Sequence, residues 1–519
     1  MSLYVDKEYK LSEEDFKALT DKGDLARGIV DREARRPERG YIFIKGEPDE
    51  DDIQQEFLGN CWFLSALSSL AFSHHGDRQL VPVLNKSYNN KNGPSRGKLV
   101  FQFFHFNKLI RVYIDDVLPT KQITKIGKKG EFWVALCEKA YAKLLGSYEI
   151  QDGGWPRYSF YHLTCGIPID VYFKDYSNQE LPQIFAIMKD IMENNPEVVW
   201  ARVEHFLFGK PAQKSLQTGH AYSILKLDDV KDDQSDFHHL ILIRNPHGRS
   251  YSSEWTGDWS DNSSKWRSVS SSDRKRLSSP SWNGSFWMSF NDFVKYFEIA
   301  ILCRLPTNWS SNEETRVYGN LKFGINAPPT GGMQIAREDE EFQHQMLIKT
   351  ENSFTDVWLH FLLDSPYDGD RQKFNTHFEF YENVPERTPF EKYSVSKINE
   401  FKKQHPIFPG RPSKFYDYNG RLYGRVKKGT HLVIFSACPT RQGTQKCDFL
   451  LKVVSKNTRV IEIGKQELTF ENGKAYPFIS WKDYRRTGVE SRARRAVRRI
   501  TTSTGTSGGC CSSQQKMVL

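Results

Sequence analysis

The chain has 519 residues, of which 38% are hydrophobic and 26% charged, and its net charge is +9. This length predicts two to four globular domains, and the composition argues against a disordered or fibrous protein. No apolar run approaches the roughly 18 to 20 residues that cross a bilayer. Eight cysteines without zinc-finger spacing indicate free thiols and a reducing compartment.

The N-terminal sequence "MSLYVDKEYKLSEEDF" is polar and of mixed charge. We therefore expect no secretory signal, and the absence of Gly at position 2 argues against myristoylation. Much of the positive charge lies in residues 485–499. That stretch is a feature of the tail, so nucleic acid binding by the main body is not expected.

The segment "QQEFLGNCWFLSALSSLAF" (54–72) predicts a buried helix that begins near Cys61. Asn60 suits the N-cap position, where its side-chain oxygen would accept a backbone N–H. Unpaired N–H groups and the helix dipole favour a thiolate at Cys61, and Gly59 leaves the approach to the sulfur open. Two interpretations stay open here, because most buried cysteines are inert core residues and a few are nucleophiles.

Two further elements follow in the first half of the chain. Residues 98–119 predict a β-hairpin that turns around Asn107 and Lys108. Residues 130–146 predict a helix that stops at Gly146. Cys137 lies on the apolar stripe of this helix, so we interpret it as a core residue.

Residues 219–229 and 238–248 predict two neighbouring strands joined by a polar turn. His220 opens the first strand and Asn245 closes the second. Antiparallel pairing would bring these two residues together at one sheet edge, where an Asn oxygen can orient the imidazole of a Cys-His-Asn triad. Taken singly, each residue is better explained as a polar turn residue, and only the set of three with Cys61 favours the triad.

Short alternating runs between residues 315 and 465 predict an antiparallel β-sandwich. The final 35 or so residues are basic and then rich in Ser, Thr and Gly, which predicts disorder.

Several motifs resemble, in order and spacing, the protease core of the calpain family. The resemblance covers residues 40–305 and extends more weakly to about residue 465. It implies that Cys61 is the nucleophile, His220 the general base and acid, and Asn245 the residue that orients His220. Gln55 matches the glutamine that helps to form the oxyanion hole. The motifs are "QEFLGNCWFLSALSSL", "EFWVALCEKAYAKLLGSYE", "GHAYSI", "IRNPHG", "EWTGDWSD" and "FWMSFNDF".

The resemblance implies an α+β fold: a papain-like, two-subdomain protease core, a C2-like antiparallel β-sandwich and a disordered basic tail. No segment matches the acidic EF-hand loop, so we expect an atypical member without the EF-hand domain. The expected domains are an N-terminal segment (1–35), a Cys subdomain (36–170), a His/Asn subdomain (171–310), the sandwich (311–470) and the tail (471–519).

Three positions near the predicted triad depart from the family pattern. Asn60 replaces an Asp, and Glu56 replaces a Gly. His247 stands where a Trp normally covers the triad and shields it from water.

Calpain cores also bind two calcium ions, and both ligand sets are incomplete here. Asp52 matches a ligand of the first site, and Glu254 and Asp261 match ligands of the second. The missing carboxylates are replaced by Tyr158 or Tyr161 in the first site and by Asn283 and Ser285 in the second. Because calcium affinity depends on ligand charge, we expect weak binding or none. A solvated acidic loop explains Glu254 and Asp261 equally well.

The tail combines an arginine cluster with adjacent Cys510 and Cys511. This combination suits membrane attachment by S-acylation and contact with anionic lipid. A nuclear address or a solvated basic tail is an equally open interpretation. The arginines are Arg492, Arg494, Arg495, Arg498 and Arg499.

These features together predict a cytoplasmic cysteine endopeptidase that acts on protein substrates by limited proteolysis. The alternative is a calpain-fold scaffold that binds proteins or membrane and has little or no turnover. The presence of Cys61, His220, Asn245 and Gln55 favours the enzyme. His247 and the incomplete calcium ligands favour the scaffold.

Overall fold

The structure is a computed structural model of the chain. It describes residues 3–20, 22–27, 30, 33–37, 43–73, 97–119, 130–194, 198–203, 215–248, 254–277, 284–306, 313–322, 344–363, 374–381, 383–385, 421–439, 446–455, 458–462, 469–472 and 478–480. The chain forms two compact units. One contains residues 1–307, 366–370 and 478–519, and the other contains residues 308–365 and 371–477.

The first unit mixes helices and sheets, as the α+β class predicts. Its described α-helices are α1 (Glu13–Ala18), α2 (Lys22–Ala26), α3 (Cys61–Phe72), α4 (Trp133–Leu145), α5 (Tyr148–Gln151), α6 (Pro156–Thr164), α7 (Leu181–Asn194), α8 (Ser271–Leu277) and α9 (Phe290–Tyr296). Its described strands are β1 (Ala34–Arg35), β2 (Lys98–His105), β3 (Lys108–Asp115), β4 (Leu118–Pro119), β5 (Ile167–Tyr172), β6 (Val198–Val203), β7 (Ala221–Lys231), β8 (Phe237–Arg244), β9 (Ser285–Ser289), β10 (Ile299–Arg304) and β18 (Phe478–Ser480).

The predicted buried helix is α3, and it begins at Cys61 as expected. Every residue from Cys61 to Ala71 is buried, so the helix has no solvent-facing side over that length. Such a helix belongs to the interior of the fold, because exposing so many apolar groups would be unfavourable.

The predicted hairpin consists of β2 and β3, but its turn lies one residue earlier than expected. Phe106 and Asn107 both have positive φ values, 46° and 58°. Two positive φ values in a two-residue loop are the signature of a type I′ turn, whose twist matches that of the strands. Asn107 tolerates this conformation better than most residues do.

A six-stranded sheet, in the order β5-β10-β6-β7-β8-β9, carries the predicted His/Asn pair. β7 and β8 are antiparallel, and Ser223 lies opposite Arg244. The start of β7 therefore lies beside the end of β8. This register brings His220 and Asn245 together at the same end of the two strands.

The second unit is built from antiparallel strands, β11 (Glu314–Lys322), β12 (His344–Leu363), β13 (Phe374–Tyr381), β14 (Arg421–Pro439), β15 (Lys446–Val454), β16 (Thr458–Glu462) and β17 (Thr469–Asn472). Apolar residues such as Val317, Phe361 and Phe449 form its core. The antiparallel strands agree with the expectation, whereas the C2-like sandwich stays a prediction.

Ordered strands extend beyond the predicted start of the tail at residue 471. β17 ends at Asn472, and β18 pairs in parallel with β3, with Ile479 opposite Ile110. Backbone pairing with the hairpin thus includes residues that composition alone assigned to the tail. Cys510, Cys511 and the arginine cluster lie outside the described residues. Among those described, no helix has the length and apolar character needed to cross a membrane.

Candidate active site

His220 and Asn245 meet through their side chains where β7 begins and β8 ends, at one end of these two inner strands of the six-stranded sheet. His220 Nε2 lies 2.8 Å from Asn245 Oδ1, and both residues are buried. The amide oxygen can only accept, so Nε2 carries the proton in this contact. The ring is thereby fixed in one tautomer, with Nδ1 as the nitrogen able to take a proton from a thiol.

Cys61 lies at the first position of α3, where helix N–H groups lack intrahelical acceptors. Gly59, in the loop before Cys61, is hydrogen-bonded through both its N–H and its carbonyl. The Gly59 N–H donates to Asp152 Oδ1 (3.1 Å), and the Gly59 carbonyl accepts from the Gly153 N–H (2.9 Å). The position of Cys61 is therefore fixed by neighbours as well as by its own helix.

The predicted capping role of Asn60 is wrong. Asn60 occupies the N-cap position, but its side chain makes no capping hydrogen bond. Instead its Nδ2 donates to Glu138 and, at 3.3 Å, to Gln151 Oε1. A buried carboxylate such as Glu138 requires a donor, and this need outweighs the capping preference of Asn.

The segment that precedes Cys61 bonds directly to the segment that follows Asn245. The Gln55 N–H donates to the Pro246 carbonyl (2.8 Å), and Gln54 Nε2 donates to the His247 carbonyl (3.1 Å). One turn into α3, the Ser65 carbonyl accepts from Ser223 Oγ (2.9 Å), close to the start of β7. The thiol-bearing and imidazole-bearing parts of the first unit are therefore in contact.

Gln55 is completely buried, and its side chain is oriented by one hydrogen bond. Its Nε2 donates to the Leu58 carbonyl at 2.7 Å. An amide nitrogen has two hydrogens, so this contact uses one of them and fixes the plane of the amide group.

His247 stacks on His220, with ring centroids 4.7 Å apart and an interplanar angle of 7°. Its Nδ1 lies 3.3 Å from the Gln55 carbonyl, and its backbone N–H donates to Asn245 Oδ1 (3.0 Å). Burial lowers the pKa of His247 to about 4, partly opposed by the hydrogen bond to Gln55. A neutral His247 ring thus covers His220, where the family has an indole.

Arg244 links the end of β8 to the chain that leads to Gln55. Its Nη2 donates to the Ile53 carbonyl (2.8 Å), and its Nη1 lies 3.5 Å from Ser68 Oγ on α3. Burial lowers the pKa of Arg244, while the acidic residues before Ile53 oppose that shift. Burial also raises the pKa of Glu50, one of these acids, to about 7.

Comparison with known proteins decides the family. The family described as "Calpain family cysteine protease" matches residues 17–304, more than half of the chain. The chain belongs to the calpain family. It is 32% identical to the calpain-2 catalytic subunit of Homo sapiens over 361 residues, which are 66% of this chain and 48% of that protein.

Two other relatives give a similar picture. Identity is 34% with the calpain-1 catalytic subunit of Gallus gallus over 309 residues, 58% of this chain and 42% of that protein. It is also 34% with calpain-8 of Mus musculus over 289 residues, 54% of this chain and 39% of that protein. The chain thus spans about half the length or less of these curated relatives.

The residues that match calpain calcium ligands are engaged in protein contacts. Asp52 Oδ2 accepts from the Asp49 N–H and from Trp133 Nε1, both at 3.2 Å. Glu254 Oε1 accepts from the Gly284 N–H (2.8 Å). Asp261 is partly buried on the same segment as Glu254. Within the described ranges, no three Asp, Glu, His or Cys side chains gather as a metal site.

The tyrosines that replace the missing acid do not supply a carboxylate either. Tyr158 and Tyr161 lie on α6, and the Tyr161 hydroxyl accepts from the Asn107 N–H (3.0 Å). Asn283 lies outside the described residues. Among the residues that the structure describes, these donors fall short of the six to eight oxygens that a calcium ion needs. Weak or absent binding stays a prediction.

A second cluster of Cys, His and Asn side chains was not found from the sequence. Cys165 Sγ donates to Asn107 Oδ1 (3.1 Å), and His162 Nδ1 lies 2.9 Å from the Tyr141 hydroxyl. Cys165 ends α6 with a φ of 57°. The hairpin turn and the helix end meet only in the folded chain, so no local sequence signal marks this cluster.

The four cysteines whose state the structure gives agree with the expectation of free thiols. Cys61, Cys137, Cys165 and Cys303 are all free and buried. Burial raises the pKa of Cys137 far above that of an exposed thiol, as expected for a core residue.

Proposed function

We propose that this chain is a calpain-type cysteine endopeptidase that cuts proteins at a limited number of sites. The proposal is carried by the 2.8 Å contact between His220 Nε2 and Asn245 Oδ1. That pair lies at the sheet edge bonded to the segment around Cys61, the first residue of α3.

In the proposed reaction, His220 Nδ1 takes the proton of the Cys61 thiol. The sulfur then attacks the carbonyl carbon of the substrate peptide bond. When the C–N bond breaks, His220 returns the proton to the leaving amine, and a thioester remains on Cys61. Water attacks this thioester with His220 as general base, releasing the carboxylic acid and restoring the thiol.

Two donors are proposed for the negative oxygen of the tetrahedral intermediate. One is the backbone N–H of Cys61, which lies at a helix N-terminus. The other is the second N–H of Gln55 Nε2, whose first N–H is used by Leu58. Both belong to the short segment that bonds to Pro246.

The substrates in this proposal are proteins, and the proposed site of action is the cytoplasm. Subdomain limits near residues 170 and 310 and a C2-like second unit belong to the same proposal. Membrane attachment through Cys510 and Cys511 would add a second location. Fractionation of the full chain beside a Cys510→Ser/Cys511→Ser variant tests it: equal membrane fractions for both proteins would rule out acylation.

The test of the enzyme is casein hydrolysis by the full chain, with calcium and with chelator. We expect hydrolysis that Cys61→Ala abolishes and that Cys165→Ala, the matched control, leaves within about twofold. Hydrolysis that survives in Cys61→Ala would contradict the assignment.

A second candidate is a calpain-fold scaffold that binds proteins or membrane without turnover. It is favoured by His247, which stacks on His220 in place of a Trp, and by the use of Gln55 Nε2 for Leu58. No hydrolysis by a folded parent, with or without calcium, would support this candidate.

A further inference from the structure

Glu254 has no role in the proposed chemistry, yet it is connected to Asn245 by two hydrogen bonds in series. Glu254 Oε1 accepts from the Gly284 N–H at 2.8 Å. The Gly284 carbonyl accepts from the Asn245 N–H, also at 2.8 Å. The two bonds involve neighbouring peptide groups at Gly284, immediately before β9.

Gly284 packs against the turn that carries Asn245. It has a φ of 89°, which residues with a Cβ rarely adopt. A Cβ at this position would lie 2.8 Å from both the Asn245 carbonyl oxygen and the Gly248 Cα. These neighbours are backbone atoms, so they could not move aside without displacing the turn.

The turn itself is closed by the Gly248 N–H, which donates to the Asn245 carbonyl (2.9 Å). On its other side, Arg244 pairs with Ser285 in the sheet. The backbone of Asn245 is thus held by Gly284 and its neighbours, while its side chain holds His220. A displacement of Gly284 would therefore shift Asn245 and, through it, the imidazole of His220.

We propose that Glu254 is a positioning residue for Asn245, acting through the peptide groups of Gly284. This inference rests on the proposed function. A carboxylate is a stronger acceptor for a backbone N–H than a neutral group. Glycine is also the residue whose peptide groups most need such restraint, because it has the greatest backbone freedom.

This role assigns to Glu254 a direct contact with the protein rather than with calcium. Oε1 of this residue, which the resemblance places in a calcium site, accepts from the Gly284 N–H here. The carboxylate therefore orders the Asn245 turn without an ion. The prediction for calcium follows: its addition should leave the turn, and the reaction, unchanged.

Three variants of the full chain test the proposal. Glu254→Gln keeps an oxygen at the same distance, Glu254→Ala removes it, and Glu254→Asp keeps the charge but shortens the side chain by one methylene. Asp258→Ala is the matched control, because Asp258 is an exposed carboxylate four residues further along the same segment. Thermal unfolding identifies any variant that does not fold.

The first readout is steady-state hydrolysis. We expect kcat to fall about tenfold in Glu254→Ala and Glu254→Asp, with KM within about twofold, because a small displacement of a catalytic group lowers the rate. Glu254→Gln should retain at least about one third of the parent kcat. Asp258→Ala should match the parent.

The second readout does not need turnover. Iodoacetamide alkylation of Cys61, followed by peptide mass spectrometry, reports the thiolate that a well-placed imidazole creates at pH 6, where an isolated thiol is almost fully protonated. We expect the pH 6 rate to fall about tenfold in Glu254→Ala and Glu254→Asp. The rate at pH 8.5 should change less than twofold.

Several outcomes would overturn the proposal. One is a Glu254→Asp or Glu254→Ala variant that matches Asp258→Ala in both readouts. Another is a Glu254→Gln variant as impaired as Glu254→Asp. A third is a calcium activation of the parent above twofold that Glu254→Gln abolishes, which would assign Glu254 to an ion. A parent without Cys61-dependent hydrolysis would contradict the proposed function only, and the alkylation rates would still decide the role of Glu254.

Discussion

Cysteine, histidine and asparagine occur together in two regions of the first unit, and the two regions differ in how their hydrogen bonds are arranged. In the region of Cys61, the imidazole of His220 bonds to the amide of Asn245. In the region of Cys165, the thiol itself bonds to the amide of Asn107. Burial does not distinguish them, because all five of these side chains are buried.

The two thiols differ in the end of the helix at which they lie. Cys61 begins α3, at the helix end where backbone N–H groups lack intrahelical acceptors. Cys165 follows the last residue of α6, at the helix end where backbone carbonyl groups lack intrahelical donors. The same residue type therefore lies at the N–H end of one helix and at the carbonyl end of another.

The positions of the protons also distinguish the region of Cys61 from the region of Cys165. An amide oxygen that accepts from a thiol stabilises the neutral form and is not a base. His162 is bonded to Tyr141, and burial, with a smaller contribution from His105, lowers its pKa to about 3. A cluster of suitable residue types thus becomes a catalytic candidate only when the imidazole, rather than the thiol, forms the hydrogen bond to the amide oxygen.

The largest expected effect contrasts the two thiols. Cys61→Ala should lower kcat by on the order of 10³-fold or more, because nothing else supplies the nucleophile. Cys165→Ala should leave kcat within about twofold. Steady-state hydrolysis of one substrate by both variants makes the comparison. Equal losses in the two variants would remove the distinction between the regions.

The second contrast is between the two amides. Asn245→Ala should lower kcat about 100-fold, because the His220 ring loses its orienting contact. Asn107→Ala should instead cost roughly 1 to 2 kcal/mol of unfolding free energy, since its φ is positive and its side chain is bonded. Kinetics and urea unfolding of both variants separate the effects. A kinetic loss confined to Asn107→Ala would reverse the assignment.

His247 gives a third, pH-dependent contrast. Its pKa is about 4 in the fold, compared with about 6.5 in an unfolded chain, so the unfolded state binds more protons between these values. Its contribution to stability is complete above pH 6.5 and is lost as the pH falls toward 4. At pH 5 the loss is about 2 kcal/mol.

His247→Trp should therefore reduce the fall in unfolding free energy between pH 7.5 and pH 5 by about 2 kcal/mol. His162 remains in the variant, so the acid sensitivity of the other region is unchanged. Urea unfolding at the two pH values provides the measurement. A pH dependence identical to that of the parent would show that His247 is not a buried neutral base.

The smallest expected effect is that of calcium. An ion that aligned the two parts of the Cys61 site would change hydrolysis there and leave the Cys165 region unaffected. Because the described carboxylates bond to N–H groups of the protein, chelator should change kcat/KM by less than about twofold. Calorimetry should likewise detect weak binding or none in the micromolar range. Two tight sites would contradict the account.

Local patterns in the sequence predicted the elements of the site but not all of their contacts. The helix at Cys61 follows from a nearly unbroken apolar run, and the meeting of His220 with Asn245 follows from two adjacent strands with a short polar connection. Both inferences need only short-range information, because strand pairing through a turn fixes which ends are neighbours.

Contacts between distant parts of the chain could not be predicted in this way. Asn60 does not cap α3 because its amide group is turned toward Glu138, 78 residues away, and Gln151. Glu254 bonds to the Gly284 N–H across 30 residues, and Asn107 meets Cys165 across 58 residues. In each case a polar group bonds to a partner supplied by tertiary packing, and sequence spacing does not encode that partner.

The most direct test of the central claim is a peptide map after brief labelling with a peptidyl epoxide, an electrophile that requires an activated thiolate. The folded parent should carry one label, on Cys61, and His220→Ala should lower the labelling rate by at least about tenfold. Cys165 should remain unlabelled in both proteins. A label on Cys165, or labelling of Cys61 that does not depend on His220, would contradict the account.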